Sequence, residues 1–186
     1  MSNTREYVTT GKPKIGGAVF IAPVGSTLPT TATEALAAAF ASAGYVSEDG
    51  VTNSNSPETN NVKAWGGDIV LTPLEQKEDT FQFSLIEAQN SVVLKAVYGD
   101  SNVTGALATG LTVKANAAEP EAHAWVIDMI YTGGVLKRVV IPNGTITDVG
   151  DIVYNDSDPV GYELTVTALP DASGNSHYEY IIQDPS

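Results

Sequence analysis

The segments from His123 to Tyr131 and from Val135 to Ile141 flank Gly133-Gly134, and both alternate with the period of two that strands impose. A two-residue glycine turn between such runs favours a hairpin. With Thr132 set opposite Val135, one face carries Trp125, Ile127, Met129, Tyr131, Leu136, Arg138 and Val140. The other carries Val126, Asp128, Ile130, Lys137, Val139 and Ile141. Both faces are largely apolar. An antiparallel sheet in a free monomer leaves one face to water, so this hairpin demands a cover on each side.

The rest of the chain predicts more strands than helices. Gly17 to Pro23 is a short apolar run closed by proline, and strand pairs are expected at Gly144 to Tyr154 and Gly161 to Leu169, then at His177 to Ile182. Phe81, Phe83 and Leu85 point to a core face while Gln82, Ser84 and Ile86 leave it. Thr31 and Glu34 have capping-box spacing ahead of Leu36, Phe40 and Ala43, which predicts a short alanine-rich helix stopped at Gly44. A second helix is expected after Asn90, with Val93, Leu94 and Val97 on its buried side and Gly99 as its stop. Residues 52 to 61, rich in Asn and Ser, are expected to form a loop. The whole reads as mainly β, a β-sandwich or partial barrel with a flanking α-helix. Residues 1–14 are expected as a polar arm and 15–186 as one domain.

Charge narrows the function. The 186 residues hold 22 acids against 9 bases, a net charge of −13, and phosphate backbones are bound by clustered Lys and Arg. From Val139 onward there are eight acids and no Lys or Arg, which points to repulsion of nucleic acid rather than tight binding. The chain has no cysteine, so disulfides, thiol nucleophiles and cysteine metal sites are excluded. Its first residues carry no apolar signal core, and no run is long enough to span a bilayer.

Trp65 to Glu87 reads as two strand-like runs around a charged stretch, with Pro73, Leu74, Glu75, Gln76, Lys77, Glu78 and Asp79 as a wet, exposed tip. Gly66-Gly67 suggests a bulge or a close backbone approach beside Trp65.

Four blocks of the sequence are similar to a known family. They are Gly17 to Pro23, "AAFASAGYVSEDGV" at 38–51, "VKAWGGDIV" at 62–70, and "FQFSLIE" followed by "VVLKAVYG" ending at Gly99. In order and spacing they resemble the tail tube, or major tail, proteins of long-tailed non-contractile bacteriophages, especially those of actinobacteria. The resemblance implies a structural virion protein with six protomers per ring. It also implies rings stacked into a tube around a tape-measure protein and, later, around DNA, with a long hairpin loop bridging successive rings. Tail terminator and distal tail proteins are further implied partners, with assembly in the host cytoplasm. The second apolar sheet face is then expected to be covered by edge strands of neighbours joining one continuous barrel. An acidic lumen is expected, its candidates being Asp68, Gln82, Ser84 and Asp128, with Asp128 diagonal to Lys137 and equally suited to a contact between protomers.

Catalytic chemistry has little support. His123 and His177 stand on predicted strands without a nucleophile arrangement, and "NDSDPVG" at 155–161 lacks the spacing of a calcium loop. No cofactor and no membrane partner are expected. The competing reading is a carbohydrate-binding or adhesive β-sandwich module, whose groove would need Tyr154, Tyr162, Tyr178 and Tyr180.

Overall fold

Val135 to Val149 forms one long strand where the sequence suggested two, and this strand organises the molecule. The structure, a computed structural model, describes residues 4–14 and 17–184; the first three residues of the expected arm lie outside them. In chain order the strands are β1 Gly11–Pro13, β2 Val19–Pro23, β3 Ala41–Ser42, β4 Val46–Thr59, β5 Val62–Lys63, β6 Ile69–Leu71 and β7 Leu74–Leu85. The helix α1, Ser91–Tyr98, precedes β8 Val103–Ala106, β9 Gly110–Val113, β10 Ala122–Tyr131, β11 Val135–Val149, β12 Tyr162–Ala168 and β13 Tyr178–Gln183.

The first half of β11 pairs with β10 on one side and β13 on the other, while its second half pairs with β12, which continues to β7 and β4. β10 in turn carries β2 and β1. One strand thus serves two sheet regions, and the core fills the space between them. Phe81, Phe83, Leu85, Trp125, Ile127, Ile141, Leu164 and Val166 are buried there together, matching the expected core face of the Phe81 strand. Where β11 passes from one region to the other, Gly144 lies so close to Trp125 that a Cβ would stand 2.8 Å from the indole and 2.8 Å from Val166. The Gly144 carbonyl accepts a hydrogen bond from Trp125 Nε1 at 3.0 Å, which satisfies a buried indole donor that would otherwise cost stability.

Helix α1 follows the expected signals closely. Asn90 caps it by accepting from the Val92 N–H, and Gly99 ends it at φ 92°, a left-handed conformation suited to glycine. Val93, Leu94 and Ala96 are buried, and Val97 packs half-buried against the same core. Tyr98 meets Tyr162 edge-on at 6.1 Å, and burial is the main force pushing the Tyr162 hydroxyl pKa up to about 12.

The helix expected over Thr31 to Gly44 is absent, although its local cap forms: the Glu34 N–H donates to Thr31 Oγ1 at 3.1 Å. The carbonyls of Thr31 and Glu34, which a helix would use internally, instead accept from Arg138 Nη1 at 3.0 and 2.7 Å. A buried guanidinium has outcompeted the helix. Ala32 is buried with it, so this segment of the chain covers the second face of the β10–β11 hairpin, a cover expected from neighbouring subunits.

That hairpin also differs in register. Tyr131, not Thr132, lies opposite Val135, which makes the connection the three residues Thr132 to Gly134. Asp128 consequently stands directly opposite Arg138, not diagonal to Lys137. The core side now holds Trp125, Ile127, Val139 and Ile141, and the covered side Val126, Asp128, Arg138 and Val140.

Candidate functional site

The longest projection is built differently from its sequence reading. β4 is the outgoing strand, so the Asn/Ser-rich stretch expected as a loop pairs with β7 from Thr52↔Gln82 to Thr59↔Leu74. Asn and Ser disfavour strands only weakly when a ladder partner is present, and Pro57 is tolerated because β4 is an edge strand. Leu74 to Asp79 therefore belong to the returning strand rather than to a tip, and pairing breaks at Thr72-Pro73, near the proline as expected. The true tip is the small β5–β6 hairpin, closed by Ala64 N–H donating to the Asp68 carbonyl at 2.8 Å. Gly66 and Gly67, at φ 127° and 99°, form its turn rather than a bulge. Trp65 at the apex is 106% exposed, and Val62, Ile69, Val70, Leu71 and Leu74 are exposed below it. Exposed apolar side chains clustered on one projection form the kind of surface that binds other protein.

Asp79, expected to keep the tip wet, is only 2% exposed. Its carboxylate accepts from Asn53 Nδ2 at 2.8 Å and from the Ser176 hydroxyl and His177 Nδ1. Burial by itself would raise its pKa, but the hydrogen bonds from Ser176, Asn53 and His177 outweigh burial and hold it below the ordinary carboxylate value. Phe81 meets the His177 ring edge-on at 5.3 Å. Ser176 donates to the aspartate rather than to the imidazole, so the cluster lacks the serine-to-histidine bond of an activated nucleophile. It clamps the start of β13 to the root of the long hairpin.

Asp128 is the second relocated residue. It is 4% exposed and holds Arg138 through Nε–Oδ1 at 2.6 Å and Nη2–Oδ2 at 2.8 Å, with Lys14 Nζ at 3.9 Å. A bidentate pair buried in this way cannot line a lumen. The remaining lumen candidates separate: Asp68 is in the tip turn, while Gln82 and Ser84 sit on the outward face of β7.

That outward face is a broad polar surface. Across the sheet, Thr52 and Thr165 flank Gln82, Ser54 and Thr167 flank Thr80, and Glu163 lies opposite Ser84. Thr147 and Thr167 share a hydroxyl hydrogen bond at 2.9 Å, and Gln82 Nε2 donates to Glu163 at 2.8 Å. No Lys or Arg stands among these residues, so the face offers hydroxyls, one carboxamide and a carboxylate but no cation. The alternation Thr145-Ile146-Thr147 and Thr165-Val166-Thr167 is the signal that sequence reading passed over.

The other candidate chemistry resolves into local structure. Asn155 Oδ1 accepts from the N–H groups of Ser157 and Asp158 at 3.0 and 2.7 Å, which makes the 155–161 stretch a self-satisfied turn. No group of carboxylates and histidines among the described residues is arranged to hold a metal ion. Of the tyrosines that a sugar groove would need, Tyr162 is buried, and Tyr178 stacks on Tyr180 at 6.4 Å.

A sandwich with a long apolar-tipped hairpin and open strand edges has the surfaces of an assembly subunit. The family model described as phage tail tube protein matches residues 2–186, and the chain belongs to that family, a structural component of the phage tail. No curated protein matches the chain.

Proposed function

We propose that the protein closes with copies of itself into hexameric rings, which stack into the tube through which a long-tailed, non-contractile phage delivers DNA. The observation that carries this is the Thr-, Ser- and Glu-lined outer face of the β12–β7–β4 sheet, free of Lys and Arg, beside a projection tipped by an exposed tryptophan. Packed DNA passes a wall of hydroxyl, carboxamide and carboxylate groups without the counterion-releasing contacts that produce sticking. Gln82 and Ser84 belong to that wall, while the tip from Val62 to Leu71 reaches an adjacent ring. β4 spans 14 residues, roughly 45 Å when extended, which suits such a bridge. Its outer edge has no partner among the described residues, and pairing with a neighbour removes the hazard of an open edge. In this reading the tape-measure protein fills the lumen before DNA, and terminator and distal tail proteins close the ends.

Electron microscopy of the purified chain tests the reading: hollow tubes or rings are expected, and a protein that stays monomeric at high concentration would overturn it. Replacing Gln82 and Thr165 with Lys should leave tubes intact but retard DNA release at low ionic strength, where screening is weakest.

A further inference from the structure

The two ends of the β4–β7 ladder carry surfaces that match. At the outer end, Leu74 to Glu78 are exposed and pair only with β4. Roughly 17 Å of ladder, with the β5–β6 tip beyond it, therefore stands clear of the body. Trp65 is presented at that apex, and the charged residues from Val62 to Leu71 are Lys63 and Asp68. At the root, where β4 starts opposite Leu85, the surface folds into a recess of about 450 Å³, ample for an indole. Pro13, Ala18, Tyr45 and Val46 are among its apolar walls, and the charged residues of its lining are again one base and one acid, Lys14 and Glu87. Tyr45 is 73% exposed, and its ring meets no other aromatic ring among the described residues. The Glu87 carboxylate is fixed beside it, accepting from the Tyr45 N–H at 3.2 Å and from Asn90 Nδ2 at 3.0 Å.

We propose that this recess receives the β5–β6 tip of a second copy of the chain, with Trp65 seated against Tyr45, Pro13 and Val46, and with Lys63 and Asp68 meeting Glu87 and Lys14. Position selects the pair first. Tip and recess lie at opposite ends of one ladder, so copies joined through them repeat head to tail, and a contact of that kind propagates. Charge selects it next. Each side brings one base and one acid, which spares the contact the like-charge repulsion that surfaces of a chain with a net charge of −13 otherwise meet. The groove of Glu48, Asp49, Asp151 and Glu163, also at the root, holds no base to meet Asp68. Reach excludes the N-terminal segment, whose Arg5 and Glu6 are also balanced: Arg5–Tyr7 form a short 3-10 turn, held close to the body by Thr9 and Thr10 on Thr132. The indole and the Tyr45 ring gain an aromatic contact and leave water together. The proposal deepens the self-assembly reading above and rests on it.

A chain without cysteine and with two tryptophans, one of them the buried Trp125, allows two readouts. Assembly of the full chain should move Trp65 emission to the blue and shield it from acrylamide. Full-length Ala64→Cys and Pro13→Cys chains, mixed, assembled and mildly oxidised, should give a disulfide between unlike chains, and adding Tyr45→Ala to the Pro13→Cys chain should reduce its yield several-fold. A Thr109→Cys chain, its thiol on the β8–β9 turn, replaces Pro13→Cys to measure random collision. Assembled material with unshifted tryptophan emission, or with no cross-link above that control, would overturn the proposal while leaving self-assembly standing. So would a Tyr7→Cys chain that cross-links to Pro13→Cys in place of Ala64→Cys, or an Ala64→Cys chain that prefers Val153→Cys in the acidic groove. Absence of any assembled species in electron micrographs would overturn the self-assembly reading and this proposal with it.

Discussion

Arg138 shows how a single buried cation can set a local conformation. Its guanidinium spends two nitrogens on Asp128 and a third on the carbonyls of Thr31 and Glu34, so replacing it strands a buried carboxylate and releases the covering segment together. Arg138→Met is expected to cost about 3–5 kcal/mol, read from the urea midpoint, and to expose residues 24–40 to protease. Arg138→Lys should recover little, because an ammonium cannot reproduce the planar fork. Asp79 makes a separate prediction about pH. Its folded pKa is depressed, so the stability it contributes is present above the unfolded carboxylate pKa and is lost as pH falls through the folded one. Chemical denaturation between neutral pH and pH of about 3 should show that acid-dependent loss, and Asp79→Asn should flatten it. Neither residue could be placed by counting. Asp128 and Arg138 meet because of a hairpin register one residue away from the two-glycine turn, and Asp79 meets His177 only because β13 pairs back onto β11.

Elements whose signals are local were legible in advance. Asn90 and Gly99 bound α1 as their capping chemistry dictates, and Leu94→Ala is expected to cost about 2–5 kcal/mol in thermal or urea unfolding because the side chain is buried in the core. The alternation of Phe81, Phe83 and Leu85 likewise gave the correct core face. The Thr31 to Gly44 segment failed for the opposite reason: its cap was real, but its carbonyls had a stronger partner distant in sequence. The long hairpin failed through composition. Trp65 to Glu87 looked self-contained, yet β7 found its partner in the polar β4 upstream. Deleting residues 62–71 and joining the ladder with a short turn should leave the melting temperature close to that of the intact chain, since the tip touches none of the core. Under the proposed function it should also abolish long tubes in electron micrographs.

At the scale of the whole molecule, β11 binds two sheet regions into one body, and the chain's acidity acquires a direction. Several cations are committed elsewhere: Arg138 is buried, Lys137 pairs with Glu179 at 2.7 Å, and Lys95 lies 3.9 Å from Asp100. The polar face of β12, β7 and β4 carries hydroxyls, the Gln82 carboxamide and the Glu163 carboxylate. The β-rich class, the acidic balance, the capped helix and the apolar core stripe are all legible in the amino-acid order. These depend on residue type and on periods of two or 3.6, which operate over a few neighbours. Tertiary structure alone decided which strands pair, which carboxylates are buried and which segment covers the second face of the hairpin. Those outcomes depend on competition among partners far apart in the chain, such as a guanidinium against a helix or a polar strand against a loop. The winner is fixed only when the whole fold brings the competitors together.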